Sequence, residues 1–170
     1  PTQCYGAAQV VLNPSFETGW WPWAIQDGYP ERTSYISVPD GNEIILIGSL
    51  NDAMDVLTQV VIAPQWADDA ALYFWWRMLS EDSPFQPYDY LTLWVWDLDT
   101  NEGLLYTEVN NTAVQGTWYI RRVSLASAKV IAARGHTLKI TIIGYTDSTL
   151  TTMWYVDDVQ LVFACGGYAP

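Results

Sequence analysis

The sequence predicts an all-β domain, a two-sheet antiparallel sandwich of about ten strands, and three observations predict it. Short apolar or alternating runs recur along the 170 residues, separated by clusters of Gly, Pro, Asn and Asp, which is the spacing of sandwiches and barrels. Half of the residues are hydrophobic, with ten Trp and eleven Tyr, and only 15% are charged, a profile that invests in a packed core and flat surfaces rather than disorder. No repeat, low-complexity tract or composition break divides the chain, so residues 1–170 read as a single domain.

The elements follow from the runs and their punctuation. Gln9–Leu12 is a short β-branched run closed by Asn13-Pro14, and Ala24–Gln26 is a brief stretch before Asp27-Gly28. Thr33–Val38 stops at Pro39-Asp40-Gly41, after which Glu43–Ile47 and Asp55–Ile62 are rich in Ile, Leu and Val. Ala71–Met78 and Tyr90–Asp97 flank the loop Ser80–Pro87, which carries two prolines and two acids. Leu104–Glu108, Trp118–Leu125, Thr137–Gly144 and Met153–Phe163 complete the set. The alternation is clearest where Leu91, Leu93 and Val95 interleave with Tyr90, Thr92, Trp94 and Trp96: one face is aliphatic core and the other an aromatic strip. Leu138, Ile140 and Ile142 repeat the pattern against Lys139, Thr141 and Ile143. One or two helical turns fit Ala126–Arg134, with Gly135 placed to end them,.

Seven basic against nineteen acidic residues give a formal charge of -12. Such a field repels phosphate backbones and anionic headgroups, and no apolar run approaches the roughly 20 residues that span a bilayer. Nucleic acid and membrane insertion are therefore excluded as partners. The acids gather in loop-like segments such as Asp52 with Asp55, Asp68 with Asp69, Glu81 with Asp82 and Asp97 with Asp99, where they either face water or offer oxygen ligands to a hard divalent cation. Cys4 and Cys165 lie at opposite ends. A bridge between them needs an oxidising compartment and would contribute about 5 kcal/mol by chain entropy; two unpaired thiols are the alternative.

Catalytic groupings are scarce. His136 is the one histidine, so a nucleophilic triad would rest on it alone, and two distant cysteines with one histidine offer no zinc spacing,. There is no glycine-rich phosphate loop. Asp157 and Asp158 point to opposite faces of a strand and do not form an acid/base couple,. The expectation is a protein without enzymatic activity.

Two segments carry a resemblance. Leu12-Asn13-Pro14-Ser15-Phe16-Glu17-Thr18-Gly19, followed by a Trp-rich stretch, and the closing Trp154-Tyr155-Val156-Asp157-Asp158-Val159-Gln160-Leu161 resemble the bracketing motifs of the carbohydrate-binding-module jelly rolls of bacterial xylanases and cellulases, in the galactose-binding-like superfamily. Between them, Asp55–Val61, Trp76-Arg77-Met78 with Ser80-Glu81, Trp118 with Val123-Ser124-Leu125, and Thr146-Asp147 are similar to the MAM-like accessory jelly rolls of secreted bacterial peptidases and adhesins. The resemblance implies a two-sheet antiparallel jelly-roll sandwich, a secreted or cell-surface location, and a glycan or a surface protein as partner.

It also implies a structural calcium held by Glu17 and Asp157, to which the chemistry of the Asp40-Gly41-Asn42 turn adds Asp40,. In the alternative arrangement these acids merely accept hydrogen bonds from backbone amides. A second acidic group, Glu81, Asp82 and Asp89 with Asp147, would hold another ion if its loops converge. Sugar recognition needs flat aromatic platforms flanked by hydrogen bonders, and Trp75, Arg77, Trp94, Trp96 and Tyr119 are the candidates. Trp20, Trp21 and Trp23 form either a loop-tip site or a plug for the core.

Overall fold

A computed structural model describes residues 6–34 and 36–165. Among them are eleven strands and one short helix. The order is β1 (Ala7–Gln9), β2 (Ala24–Asp27), β3 (Glu31–Thr33), β4 (Ile44–Ile47), β5 (Met54–Ile62), β6 (Asp69–Ser80), β7 (Tyr90–Asp97), β8 (Glu102–Asn110), β9 (Tyr119–Ser124), α1 (Ser127–Ala132), β10 (Thr137–Tyr145) and β11 (Thr152–Ala164). One sheet runs β3-β4-β11-β6-β9 with β1 added on β11, and the other runs β2-β5-β10-β7-β8. All pairings are antiparallel. The all-β two-sheet sandwich expected from the sequence is the fold observed.

The core lies between the sheets because alternation sends every second side chain inward. Leu91, Leu93 and Val95 of β7 and Leu138, Ile140 and Ile142 of β10 are fully buried, facing Leu72, Phe74 and Met78 of β6 and Val156 and Leu161 of β11. Each such side chain contributes about 1.5–3 kcal/mol on burial. Gln59 is a polar exception within β5. Its Oε1 accepts the Leu12 N–H at 2.7 Å and its Nε2 donates to the Leu12 carbonyl at 2.9 Å, so both ends of the buried amide are satisfied and residue 12 is clasped to the opposite sheet.

Strand β11 organises the first sheet. One edge pairs with β6 along most of its length, while the other is shared between β4, opposite Trp154–Val156, and β1, opposite Val162–Ala164. The stretch between them bulges: the register shifts between Asp157 and Gln160, and Asp158 has φ 46°. Val156 and Asp157 are buried in succession, which strict alternation forbids and a bulge allows. The segment after β1 fills the gap, the Val10 N–H donating to the Leu161 carbonyl and the Val159 N–H to the Pro14 carbonyl.

Element boundaries differ from the expected ones at the edges. The first strand is Ala7–Gln9 rather than Gln9–Leu12, since beyond Val10 the chain leaves β11 and Leu12 crosses to Gln59. The third is Glu31–Thr33 rather than Thr33–Val38, because its partner β4 offers only Ile44–Leu46 to pair with; Tyr35 of the expected run lies outside the described residues. The short run at Ala24 is a true strand on β5, and the helical turns fall at Ser127–Ala132, with Gly135 at φ 74° beyond them. Cys4 lies outside the described residues. Cys165 follows β11, its Sγ 3.7 Å from the Gly6 carbonyl oxygen.

Candidate functional site

The five aromatic and guanidinium candidates do not share one surface, so the single platform expected from sequence is corrected to two faces. Trp75 and Arg77 belong to β6 and lie on the outer side of the six-stranded sheet; Trp94 and Trp96 belong to β7 and lie on the outer side of the other. The core separates the two pairs. Tyr119 belongs to neither platform: it sits opposite Trp76, and its ring stacks on that inward indole at 5.1 Å between centroids. Period-two alternation places side chains relative to their own strand but not one strand's outer face relative to another's.

On the five-stranded sheet, Trp94 and Trp96 line a shallow groove of about 390 Å³ together with Leu98, Asn101, Lys139 and Thr141. Both indoles are held. Trp94 packs against Tyr106 with centroids 4.4 Å apart and rings tilted by 55°. The Trp96 Nε1–H donates to Asn101 Oδ1 at 3.2 Å, and Gly103, directly opposite on β8, leaves room for the ring, since a Cβ there would stand 3.1 Å from its Cζ3. The Tyr106 hydroxyl donates to Glu108; burial and that carboxylate push its pKa up to about 12.

The opposite face carries a second groove, of about 330 Å³, around Trp75, Tyr73, Arg122, Asp158 and Gln160. The Arg122 Nε–H donates to the Tyr73 hydroxyl at 2.9 Å, with the guanidinium 5.6 Å from that ring's centroid, and Gln160 donates to Asp158 at 2.6 Å. These polar groups engage one another. Arg77 stands further along the strand, its Nε buried without a hydrogen-bond partner. Sequence reasoning missed Asn101, Lys139 and Thr141 as neighbours of the tryptophans. The alternation of β10 marked Lys139 and Thr141 as outward, but only the register, with Lys139 opposite Trp96 and Thr141 opposite Trp94, brings them together.

Of the Trp-rich segment, Trp23 is the plug: it is buried against Phe16 and its Nε1–H donates to the Asn13 carbonyl at 3.1 Å. Trp20 packs against the core, and Trp21 projects into solvent with 78% of its surface exposed.

The expected calcium ligands converge on one loop. Asp157 Oδ2 accepts the Asp40 N–H at 3.0 Å and Oδ1 the Asp158 N–H at 2.7 Å. Glu17 Oε1 accepts the N–H groups of Asn42 at 2.7 Å and Glu43 at 2.6 Å, and Asp40 Oδ2 accepts the Ser15 hydroxyl at 2.6 Å. Arg32 braces the segment by donating to the Phe16 carbonyl at 3.0 Å. In kind, an all-oxygen set fits calcium. In placement, backbone amides engage the Asp157 and Glu17 carboxylates and the Ser15 hydroxyl that of Asp40, and the three are not among the groups whose ligand atoms lie mutually within 4.8 Å. Asp157 is fully buried, and desolvation, only partly offset by its two amide donors, pushes its pKa up to about 7.

Two groups among the described residues do bring three ligand atoms within 4.8 Å of one another: Asp82, Asp89 and Asp147, and Asp97, Asp99 and His136. The second is a turn lock. Asp97 Oδ2 meets His136 Nδ1 at 2.8 Å, its Oδ1 accepts the N–H groups of Asp99 and Thr100, and Asp99 Oδ2 accepts the Thr137 N–H at 2.6 Å. The first joins the loop after β6 to the connection before β11; Glu81 is exposed and is not one of the three. Burial, reinforced by Asp89, pushes the Asp82 pKa up to about 6.

No family model and no curated protein sequence matches the chain. Solved structures match it in fold. A family 61 carbohydrate-binding module, TmCBM61, in complex with β-1,4-galactotriose is similar at 19% identity and a TM-score of 0.65, covering 91% of this chain and 97% of that one. The CBM22-1 xylan-binding domain of Xyn10C from Paenibacillus barcinonensis gives 15% identity and 0.57, covering 96% and 99%. A cyclase from Fischerella sp. TAU gives 13% and 0.64, covering 95% and 100%. The chain thus has the jelly-roll fold of carbohydrate-binding modules, a fold that also occurs in an enzyme. Among the described residues no helix is long and apolar enough to cross a membrane.

Proposed function

We propose that the chain is a non-catalytic, carbohydrate-binding module of a secreted or cell-surface protein, and that it takes a neutral polysaccharide on the outer face of the five-stranded sheet. One observation carries this reading: Trp94 and Trp96 stand side by side on β7, both locked, over a groove with Asn101, Lys139 and Thr141 at hand. Indole faces take the apolar side of a pyranose while the amide, ammonium and hydroxyl take its hydroxyl groups. The charge of -12 favours a neutral chain over an anionic one,. The galactotriose and xylan of the similar modules are of that class.

Calorimetric titration with galactan, xylan and related neutral polysaccharides tests it. Trp94→Ala and Trp96→Ala are each expected to weaken binding by about tenfold or more, while Trp75→Ala, on the far face, leaves it unchanged. Loss confined to Trp75→Ala would move the site to the six-stranded sheet; no binding to any neutral polysaccharide sinks the reading. The competing role in protein contact draws on Val60 and Ile62, which are exposed on β5 and extend the same face in apolar character.

A structural calcium would be held by Asp157 and Glu17 with Asp40, pinning the 40–43 loop to the β11 bulge. Its support is the buried Asp157 carboxylate, whose two donors are neutral amides. Binding calls for Glu17 to turn from Asn42 and Glu43 toward the ion. Calcium is expected to raise the melting temperature of the chelator-treated chain by an increment that Asp157→Asn reduces; an increment untouched by Asp157→Asn and Glu17→Gln removes the ion from this place.

A further inference from the structure

We propose that the loop end of the sandwich holds a hard divalent cation, calcium, between the carboxylates of Asp82, Asp89 and Asp147, at a site distinct from the Asp157 bulge. The three carboxylates offer oxygen atoms within 4.8 Å of one another, and Asp82 and Asp89 are 6% and 0% exposed. Asp89 is the decisive group. Its Oδ1 accepts the Asp147 N–H at 2.7 Å, but its Oδ2 is buried with no hydrogen-bond partner. A carboxylate oxygen removed from water and left unpartnered is among the costlier features a fold can carry. A cation in the cluster is the partner that relieves it.

No cationic side chain does so. The ion pairs found among the described residues, Arg32–Glu43, Lys129–Glu102 and His136–Asp97, all lie elsewhere. Further oxygens stand at the rim: the Thr152 hydroxyl donates to Asp82 Oδ2 at 3.3 Å and lies 2.7 Å from the Ser80 hydroxyl. With neither nitrogen nor sulfur in the set, the chemistry selects calcium or magnesium over zinc or copper, and carboxylates from irregular loops suit the flexible shell of calcium better than a strict octahedron.

The ion would tie together segments distant in sequence. The Glu81 N–H already donates to the Thr151 carbonyl, the Asp52 N–H to the Asp147 carbonyl and the Asn111 N–H to the Asp89 carbonyl, so four loops meet where the cluster sits. Thr152, beside it, precedes Asp157 by five residues of β11, about 16 Å along a strand.

The test uses the whole chain, stripped with a chelator and then titrated with calcium chloride alone, read by calorimetry and by thermal melting. With calcium about 100-fold above its Kd, a rise in melting temperature of roughly 5–10 °C is expected. Asp89→Asn and Asp82→Asn each lose this site's share of the rise and one bound equivalent, whereas Asp157→Asn retains that share and that equivalent and loses only what an ion at the bulge contributes. Asp89→Asn keeps an Oδ1 acceptor for the Asp147 amide, so in chelator it melts at or above the parent chain. Full calcium response and stoichiometry in both Asp89→Asn and Asp82→Asn would overturn the proposal, as would a parent chain that binds no calcium.

Discussion

Asp55 shows how much of this fold hangs on single carboxylates. It opens the buried part of β5, and its Oδ1 accepts the Tyr29 N–H while its Oδ2 accepts the Gly48 N–H, both at 2.7 Å. Gly28 has φ 74°, and a Cβ there would fall 2.1 Å from Asp55 Oδ1, so the turn passes directly over the carboxylate. Asp55→Ala orphans both amides and is expected to cost about 2–4 kcal/mol, measured by denaturant unfolding. His136 provides a pH signature. Burial pushes the Asp97 pKa up, but His136 and the Asp99 and Thr100 donors outweigh it and the pKa is lowered; the hydrogen bond to Asp97 raises that of His136. A lowered acid stabilises above its unfolded pKa and a raised histidine below its own. The pair therefore contributes most between about pH 4 and 6.5, fading in acid as Asp97 protonates and in base as His136 loses its proton. His136→Ala should lower the melting temperature more at about pH 5.5 than at about pH 8.5; equal losses at both would remove the ion pair from the account.

Among the elements, β7 and β8 set the shape of the proposed glycan platform. Their register shifts between Val95 and Trp96, and the shift puts Gly103 rather than a larger residue opposite the second indole. Gly103→Val should crowd Trp96, weaken polysaccharide binding and alter its tryptophan fluorescence, with the cooperative melt retained. Its place at an alternating position of the Trp118–Leu125 run makes Tyr119 a candidate for a binding surface. Its pairing with the inward Trp76 and its stacking on that ring put it with Val123 on the core side, and alternation along β9 turns Ile120 and Arg122 outward instead. Alternation is interrupted instead at the bulge in β11, at the centre of a sheet. Asp157 and Asp158 do diverge, as alternation predicts, yet it is the irregularity that buries Asp157 beside Val156.

For the molecule as a whole, the excess of acid is the main electrostatic fact. Charge of -12 spread over 170 residues repels itself in the compact state, and buried carboxylates concentrate the effect at the loop end. Raising monovalent salt from about 10 mM to 150 mM, in chelator, should raise the melting temperature by screening that repulsion. Calcium should give a further rise that salt does not replace, because direct coordination of buried oxygens is screened far less than surface repulsion. A melt indifferent to salt would show that the surface acids are too well solvated to matter.

The sandwich itself was legible in the residues, because strand periodicity and turn chemistry are local: Leu91, Leu93 and Val95 declare the inside of β7 whatever its neighbours are. So was the meeting of Glu17 and Asp157 at the 40–43 loop, through the resemblance of the two end motifs, with Asp40 added by the chemistry of its own turn. Local pattern is silent on which strands become neighbours. That Trp75 and Trp94 look out from opposite sheets, that Lys139 stands beside Trp96, and that Asp82, Asp89 and Asp147 crowd into one buried cluster are results of long-range pairing. Residues 58 positions apart, Asp89 and Asp147, meet only because the whole core chooses one register, and that choice is made by packing many side chains at once rather than by any one of them.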